Sequence, residues 1–325
     1  MKHVFTLLLI LTFLSCLDKN ESSIDPAIEM ELFIAQQLKQ EVQLVGKWKV
    51  RRKSNSSSSN TGNSKSLFFD CTIDNFEMLD DNRFIIKAID QNGDYSFIDG
   101  YYATFFESVI NDGEIPKIYL FDSTYELTEN PNFDEAFGYL NNLRFNSDGA
   151  DFQYIPGDTD FCLNTAYDYE VEKAQIVDYK GINIDQNLLF QDWNLSNLIV
   201  IINNAEINNF QCEIISQNFE DCLLPECNKP KTIQLKLTQY GSYYWKYLDD
   251  QGNLVHIDDA FWKFYLANEG DQILSVRYDE ETPWDDANLI YVEELSDNTL
   301  TLRETKDDIE YTYFFTTSDI PFCLQ

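Results

Sequence analysis

The chain is predicted to be all-β and mainly antiparallel, with two barrel- or sandwich-like domains and one short N-terminal helix. Three observations support this. Apolar and polar residues alternate in short runs, as in Thr299-Leu300-Thr301-Leu302-Arg303 and Tyr311-Thr312-Tyr313-Phe314-Phe315. Turn signals such as Gln91-Asn92-Gly93-Asp94, Asp148-Gly149, Gln251-Gly252-Asn253 and Ser296-Asp297-Asn298 separate the runs at short intervals. Two pairs of segments also match across the chain at nearly the same domain-sized offset, far longer than a solenoid period.

The elements follow in order. Met1-Lys2-His3 precedes an apolar stretch over 4–14, a positive start and short apolar core of the kind that directs secretion. That stretch is shorter than the roughly 18–20 residues a membrane-spanning helix needs. Asp25 caps and Pro26 opens a helix whose Ile28, Leu32, Ala35 and Leu38 share one face. Residues 54–64 are rich in Ser and Asn and read as a flexible excursion between strands. The expected divisions are a signal over 1–15, a tether and helix over 16–43, a first β domain over 44–164 and a second over 165–325.

Composition narrows the chemistry. Hydrophobic residues are 44% and aromatics 15% of the 325 residues, enough to build cores despite the charge. A net charge of −33 repels phosphate backbones and anionic lipid headgroups, so nucleic-acid binding and electrostatic membrane docking are not expected. Of two histidines, His3 leaves with the signal, so His256 is the one imidazole through which Ser–His or Cys–His chemistry would run. It sits in an alternating stretch and reads as a strand residue. No cofactor, metal site or catalytic residue is predicted; a non-catalytic role is favoured, with enzymatic activity left open.

The repeat bears on the cysteines. Gly157-Asp158-Thr159-Asp160-Phe161-Cys162-Leu163 resembles Ser318-Asp319-Ile320-Pro321-Phe322-Cys323-Leu324. The stretch from Phe84 to Gly93 likewise matches the stretch from Tyr243 to Gly252. An even number of cysteines besides Cys16, in an exported chain, suggests three disulfides. If the copies are equivalent, Cys71 pairs with Cys162, Cys227 with Cys323, and Cys212 with Cys222. A metal cluster on Cys222 and Cys227 is the weaker alternative, since no second close pair accompanies them.

Candidate ligand residues come from the densest aromatic region. Tyr244, Trp245, Tyr247, Trp262 and Tyr265 would stack on sugar rings or wall an apolar ligand if they face a cavity; buried on alternating positions they would be core. Asp90, Asn92 and Asp94 faintly resemble a calcium loop, but Tyr95 and Tyr101 stand where Gly and Glu are required, and a hairpin turn explains them with less. The cluster Asp279, Glu280, Glu281, Asp285 and Asp286 is a candidate carboxylate pair for glycoside chemistry.

Two resemblances add to this. Phe13-Leu14-Ser15-Cys16 resembles a lipobox, which implies that Cys16 is lipidated and becomes the new amino terminus, anchoring the protein at the outer membrane or cell surface. Leu44-Val45-Gly46-Lys47-Trp48 resembles the opening strand of bacterial lipocalin-like domains, and the Asn-rich, lysine-poor composition is similar to that of Bacteroidetes lipoproteins. Cys71, the turn and strand from Asp80 to Phe84, and the ending at Cys162 are similar to that family, as is the hairpin around Tyr291 to Leu302. The resemblance implies barrels acting as binding modules for an apolar or glycan ligand; a glycan-acting surface protein and a purely structural envelope protein are the alternatives.

Overall fold

The computed structural model describes residues 43–55, 71–105, 117–125, 128, 131–157, 162–178, 184–210, 230–265 and 272–318. The signal, Cys16, the helix after Asp25, most of 54–64, and Cys212, Cys222, Cys227 and Cys323 lie outside these residues. The chain forms two compact units that part after Lys173, and each is an antiparallel eight-stranded barrel.

The first barrel consists of β1 (Gly46–Asn55), β2 (Thr72–Met78), β3 (Arg83–Ile89), β4 (Tyr95–Phe105), β5 (Lys117–Asp122), β6 (Gly138–Phe145), β7 (Gly149–Pro156) and β8 (Tyr167–Lys173). Strands pair in chain order, and β8 closes on β1 with Val50 opposite Val171. The sequence-based boundary after 164 therefore falls one strand early. Phe161-Cys162-Leu163 reads as an ending, yet the chain continues into β8, whose Tyr169 and Val171 turn inward to complete the wall. β1 also runs through Ser54 and Asn55, where a loop was expected.

The second barrel begins after a short helix, α1 (Gln186–Leu189). Its strands are β9 (Asp192–Ile202), β11 (Thr232–Leu237), β12 (Ser242–Leu248), β13 (Leu254–Tyr265), β14 (Ile273–Arg277), β15 (Asn288–Leu295), β16 (Thr299–Lys306) and β17 (Ile309–Thr316). β17 pairs back with β9 to close the ring, and β10 (Ala205–Phe210) lies alongside the far half of β9 as an added hairpin.

The barrels correspond strand for strand once β10 is set aside. Trp48 on β1 donates its indole N–H to the Leu44 carbonyl at 2.9 Å, and Trp193 on β9 does the same to Leu189 at 3.3 Å. Both rings are buried and plug one end of their barrel. The turns after β3 and β12 are also alike. Asp90 accepts at one carboxylate oxygen from the Asn92 and Asp94 N–H groups, and Asp249 accepts from those of Gln251 and Asn253. Gly93 and Gly252 supply positive φ, at 91° and 84°, which a turn of this type needs. These turns bear out the match between the stretches beginning at Phe84 and Tyr243. The other match does not hold topologically: Cys162 precedes the last strand of its barrel, whereas Cys323 follows β17.

Candidate ligand cavity

An eight-stranded barrel is just wide enough to be filled by side chains or to hold one small ligand. The two barrels here take these two different courses.

The first is filled. Trp48 stacks on Phe76 at 6.2 Å between centroids, Phe76 meets Phe152 edge-on at 5.6 Å, and Phe152 stacks on Tyr169 at 5.2 Å. The end opposite Trp48 is covered at Leu163, in the described part of the connection between β7 and β8. That connection is held by the Cys71–Cys162 disulfide, as predicted, and by the Cys71 N–H donating to the Cys162 carbonyl at 3.1 Å. Leu163 is buried there, and the fully enclosed Tyr154 donates its hydroxyl to the Leu163 carbonyl at 3.1 Å. Burial, and to a lesser degree Tyr169, push the Tyr154 hydroxyl far above its ordinary range, so it stays neutral. A groove of about 320 Å³ on this unit is lined mainly by polar and charged side chains, Arg52, Arg144 and Asp151 among them.

The second barrel is plugged at one end and, among the described residues, open at the other. At the plugged end Trp193 and Trp262 are almost fully buried, and Trp262 donates its indole N–H to the Thr238 carbonyl at 3.1 Å. At the open end β16 passes to β17 through Asp307 and Asp308 alone, both at positive φ, a tight hairpin that carries nothing across the mouth. Below that mouth lies a cavity of about 500 Å³, within the roughly 300–1,000 Å³ usual for small-molecule sites.

Its wall is aromatic with carboxylates set into it. Tyr243, Trp245 and Tyr247 follow one another on the inner face of β12, and Tyr313 faces them from β17. Trp245 meets Tyr313 edge-on at 5.5 Å and Phe315 at 5.8 Å. Glu304 points inward from β16, only 8% exposed, and accepts from the Tyr313 hydroxyl at 2.7 Å. Asp258, Asp259 and Tyr278 complete the rim, with Tyr278 still 53% exposed.

The hydroxyls of Tyr243, Tyr278 and Tyr313 are all raised above the ordinary phenol range, first by loss of hydration and then by neighbouring groups, Glu304 among them. They are neutral donors at any physiological pH. Among the described residues no Lys or Arg lines the cavity. His256 stands outside the lining, half exposed, with Nε2 at 2.9 Å from Asp258 Oδ1.

Of the candidate ligand residues, the structure brings Trp245 and Tyr247 to the cavity and separates the other three from it. Tyr244 alternates to the opposite face of β12, Trp262 is part of the plug, and Tyr265 sits at the end of β13, 40% exposed. Glu304, Tyr278 and Tyr313 were not among the candidates, and Tyr243 belongs to the same dense aromatic region. A strict period of two would have exposed them: Leu300 and Leu302 face inward, so Glu304 does too, and the inward set on β12 is Tyr243, Trp245 and Tyr247.

The acidic cluster surrounds a turn that Asp279 closes. Asp279 bonds the Thr282 N–H and hydroxyl of its own turn, and these bonds hold its pKa low. Asp90 is likewise engaged by its turn's N–H groups. Among the described residues no group of three or more His, Cys, Asp or Glu side chains is placed to hold a metal ion, and no helix is long and apolar enough to cross a membrane.

Comparison with known proteins adds little. No family model matches the chain, and no curated protein matches it. Among solved structures, the vaccine antigen transferrin-binding protein B from Haemophilus parasuis, as a tryptophan-to-alanine mutant, aligns over 83% of this chain at 7% identity with a TM-score of 0.17. This chain spans 59% of that protein's length.

Proposed function

We propose that this protein is an envelope lipoprotein, anchored through Cys16 at the outer membrane or cell surface, in which the second barrel is a non-catalytic binding module for one small ligand with apolar faces, an apolar compound or a glycan. The observation that carries the reading is the cavity of about 500 Å³ below the open mouth of that barrel, walled by Tyr243, Trp245, Tyr247 and Tyr313. Aromatic walls with a few fixed polar groups suit recognition of a small molecule: the rings supply contact area at little entropic cost and the polar groups set orientation. The first barrel, filled and cross-linked, acts in this reading as a stable partner domain.

The test is an equilibrium titration of the full chain with the neutral fluorophore N-phenyl-1-naphthylamine. The expected result is one bound fluorophore per chain, with energy transfer from tryptophan. Absence of saturable binding would remove the reading and favour a structural envelope protein.

A further inference from the structure

We propose that the ligand of the second barrel carries an organic ammonium group, seated on Glu304 against the faces of Trp245 and Tyr313. The inference rests on the binding role just proposed for this cavity and narrows its ligand class.

The argument begins from the correspondence of the two barrels. The turn closing β6 onto β7 has Asn146 N–H donating to Gly149 at 3.0 Å, and the turn closing β15 onto β16 has Ser296 donating to Thr299 at 2.9 Å. Counting from these matched turns, Glu304 stands where the first barrel has Tyr154. Counting back from the Asp90 and Asp249 turns, Trp245 stands where the first barrel has Ile86. Tyr154 and Ile86 are fully buried core. The second barrel thus places a carboxylate and an indole at positions that the first uses for packing.

A carboxylate at an inward position of a barrel is costly unless it is paired. Glu304 is 8% exposed, and the bond that the Tyr313 hydroxyl donates to it is neutral. The other charges lining the cavity, Asp258 and Asp259, are of the same sign, and among the described residues no Lys or Arg lines it. His256 faces Asp258 from outside the lining, so it bears on the rim and not on Glu304. The three raised tyrosines stay neutral and add no counter-charge. The interior field is therefore negative, and the rings around it present their electron-rich faces.

Carboxylate and aromatic faces together suit a cation that is weakly hydrated and has an apolar body. An organic ammonium gains from both, through ion pairing with Glu304 and cation–π attraction to Trp245 and Tyr313. A carboxylate- or phosphate-bearing ligand would be repelled. A neutral apolar ligand would bury Glu304 without replacing its water. The net charge of −33 acts in the same direction at longer range, drawing cations toward the protein.

The test compares choline with its neutral isostere 3,3-dimethylbutan-1-ol as competitors for bound N-phenyl-1-naphthylamine on the full chain. Choline is expected to compete at least about tenfold better, the order of a cation–π contact combined with an ion pair. Glu304→Gln keeps an acceptor for Tyr313 but removes the charge, so, with each competitor scaled to that variant's own fluorophore affinity, choline and its isostere should come close to parity. Competition by phosphatidylcholine vesicles would assign the ammonium to a lipid headgroup, and competition by free choline alone to a soluble amine; either keeps the proposal. Equal competition by choline and the isostere in the unmutated chain overturns it while leaving the binding role intact. If the fluorophore itself fails to bind, both fall.

Discussion

The two barrels share their strand order, the tryptophan that plugs one end and the aspartate-capped turn after the third strand, yet among the described residues one is filled and the other hollow. The difference lies at the end opposite the tryptophan. In the first barrel the last two strands are joined by a connection that buries Leu163 and is tied down by Cys71–Cys162. In the second they are joined by Asp307 and Asp308, and the space below is left to Glu304 and four aromatic rings. Among the described residues, one scaffold thus gives a packed interior in one unit and a cavity of about 500 Å³ in the other. The strand count alone decides neither outcome.

The comparison can be broken most forcefully at its shared element. Trp48→Ala and Trp193→Ala should each cost about 3–5 kcal/mol in urea unfolding, since both remove a buried ring together with its hydrogen bond to the residue four before. If only one variant is destabilised, the ends are not equivalent.

Removing the cross-link comes next. The pair Cys71→Ser and Cys162→Ser opens a loop of sequence separation 91, and by loop-closure entropy and measured precedents this should cost about 2–5 kcal/mol. Fluorophore binding should be unchanged, because the cavity belongs to the other unit.

A smaller effect is expected at the cavity wall. Trp245→Ala should cost about 1–2 kcal/mol of stability, less than either plug tryptophan, because the ring already borders open space and leaves no new sealed void. The same variant should weaken fluorophore binding about tenfold, measured in the same titration.

The smallest effect concerns the matched turns. Burial alone would raise the Asp90 pKa, but the hydrogen bonds from Asp94, Asn92 and Gly93 outweigh it and the value is lowered. A depressed carboxylate contributes stability that is fully present above its unfolded pKa and is lost as pH falls through its folded pKa. Asp90→Asn should therefore lower the melting temperature slightly at neutral pH and leave it nearly unchanged in strong acid.

Much of this architecture was legible in the sequence because its signals are local. Alternation in Thr299–Lys306 and Ile309–Thr316, and turns such as Asp90-Gln91-Asn92-Gly93, are set by side-chain direction and backbone φ, so they survive in any tertiary context. The Cys71–Cys162 bridge was legible as well, although the reasoning that paired it treated Cys162 as the end of a domain. That error has a physical source: a short Phe-Cys-Leu motif does not reveal whether another strand follows. The cavity was legible only in part. Trp245 and Tyr247 stood out by composition, but Tyr244 shares that composition and faces the other way. Glu304 was hidden among many acidic residues, and its inward register beside the cavity gives it meaning. A cavity is a non-local fact, set by side chains from β9, β12, β13, β16 and β17 together.

The most direct test of the account fills the cavity. Leu198 lines it, and Leu198→Trp places an indole in the space while adding apolar volume that the open mouth can accommodate. The account predicts that this variant, folded by circular dichroism and melting no lower than the unmutated chain by more than a few degrees, loses the single N-phenyl-1-naphthylamine site seen in titration. Retention of one full-affinity site per chain in that variant would place the ligand elsewhere and contradict the assignment of binding to the second barrel.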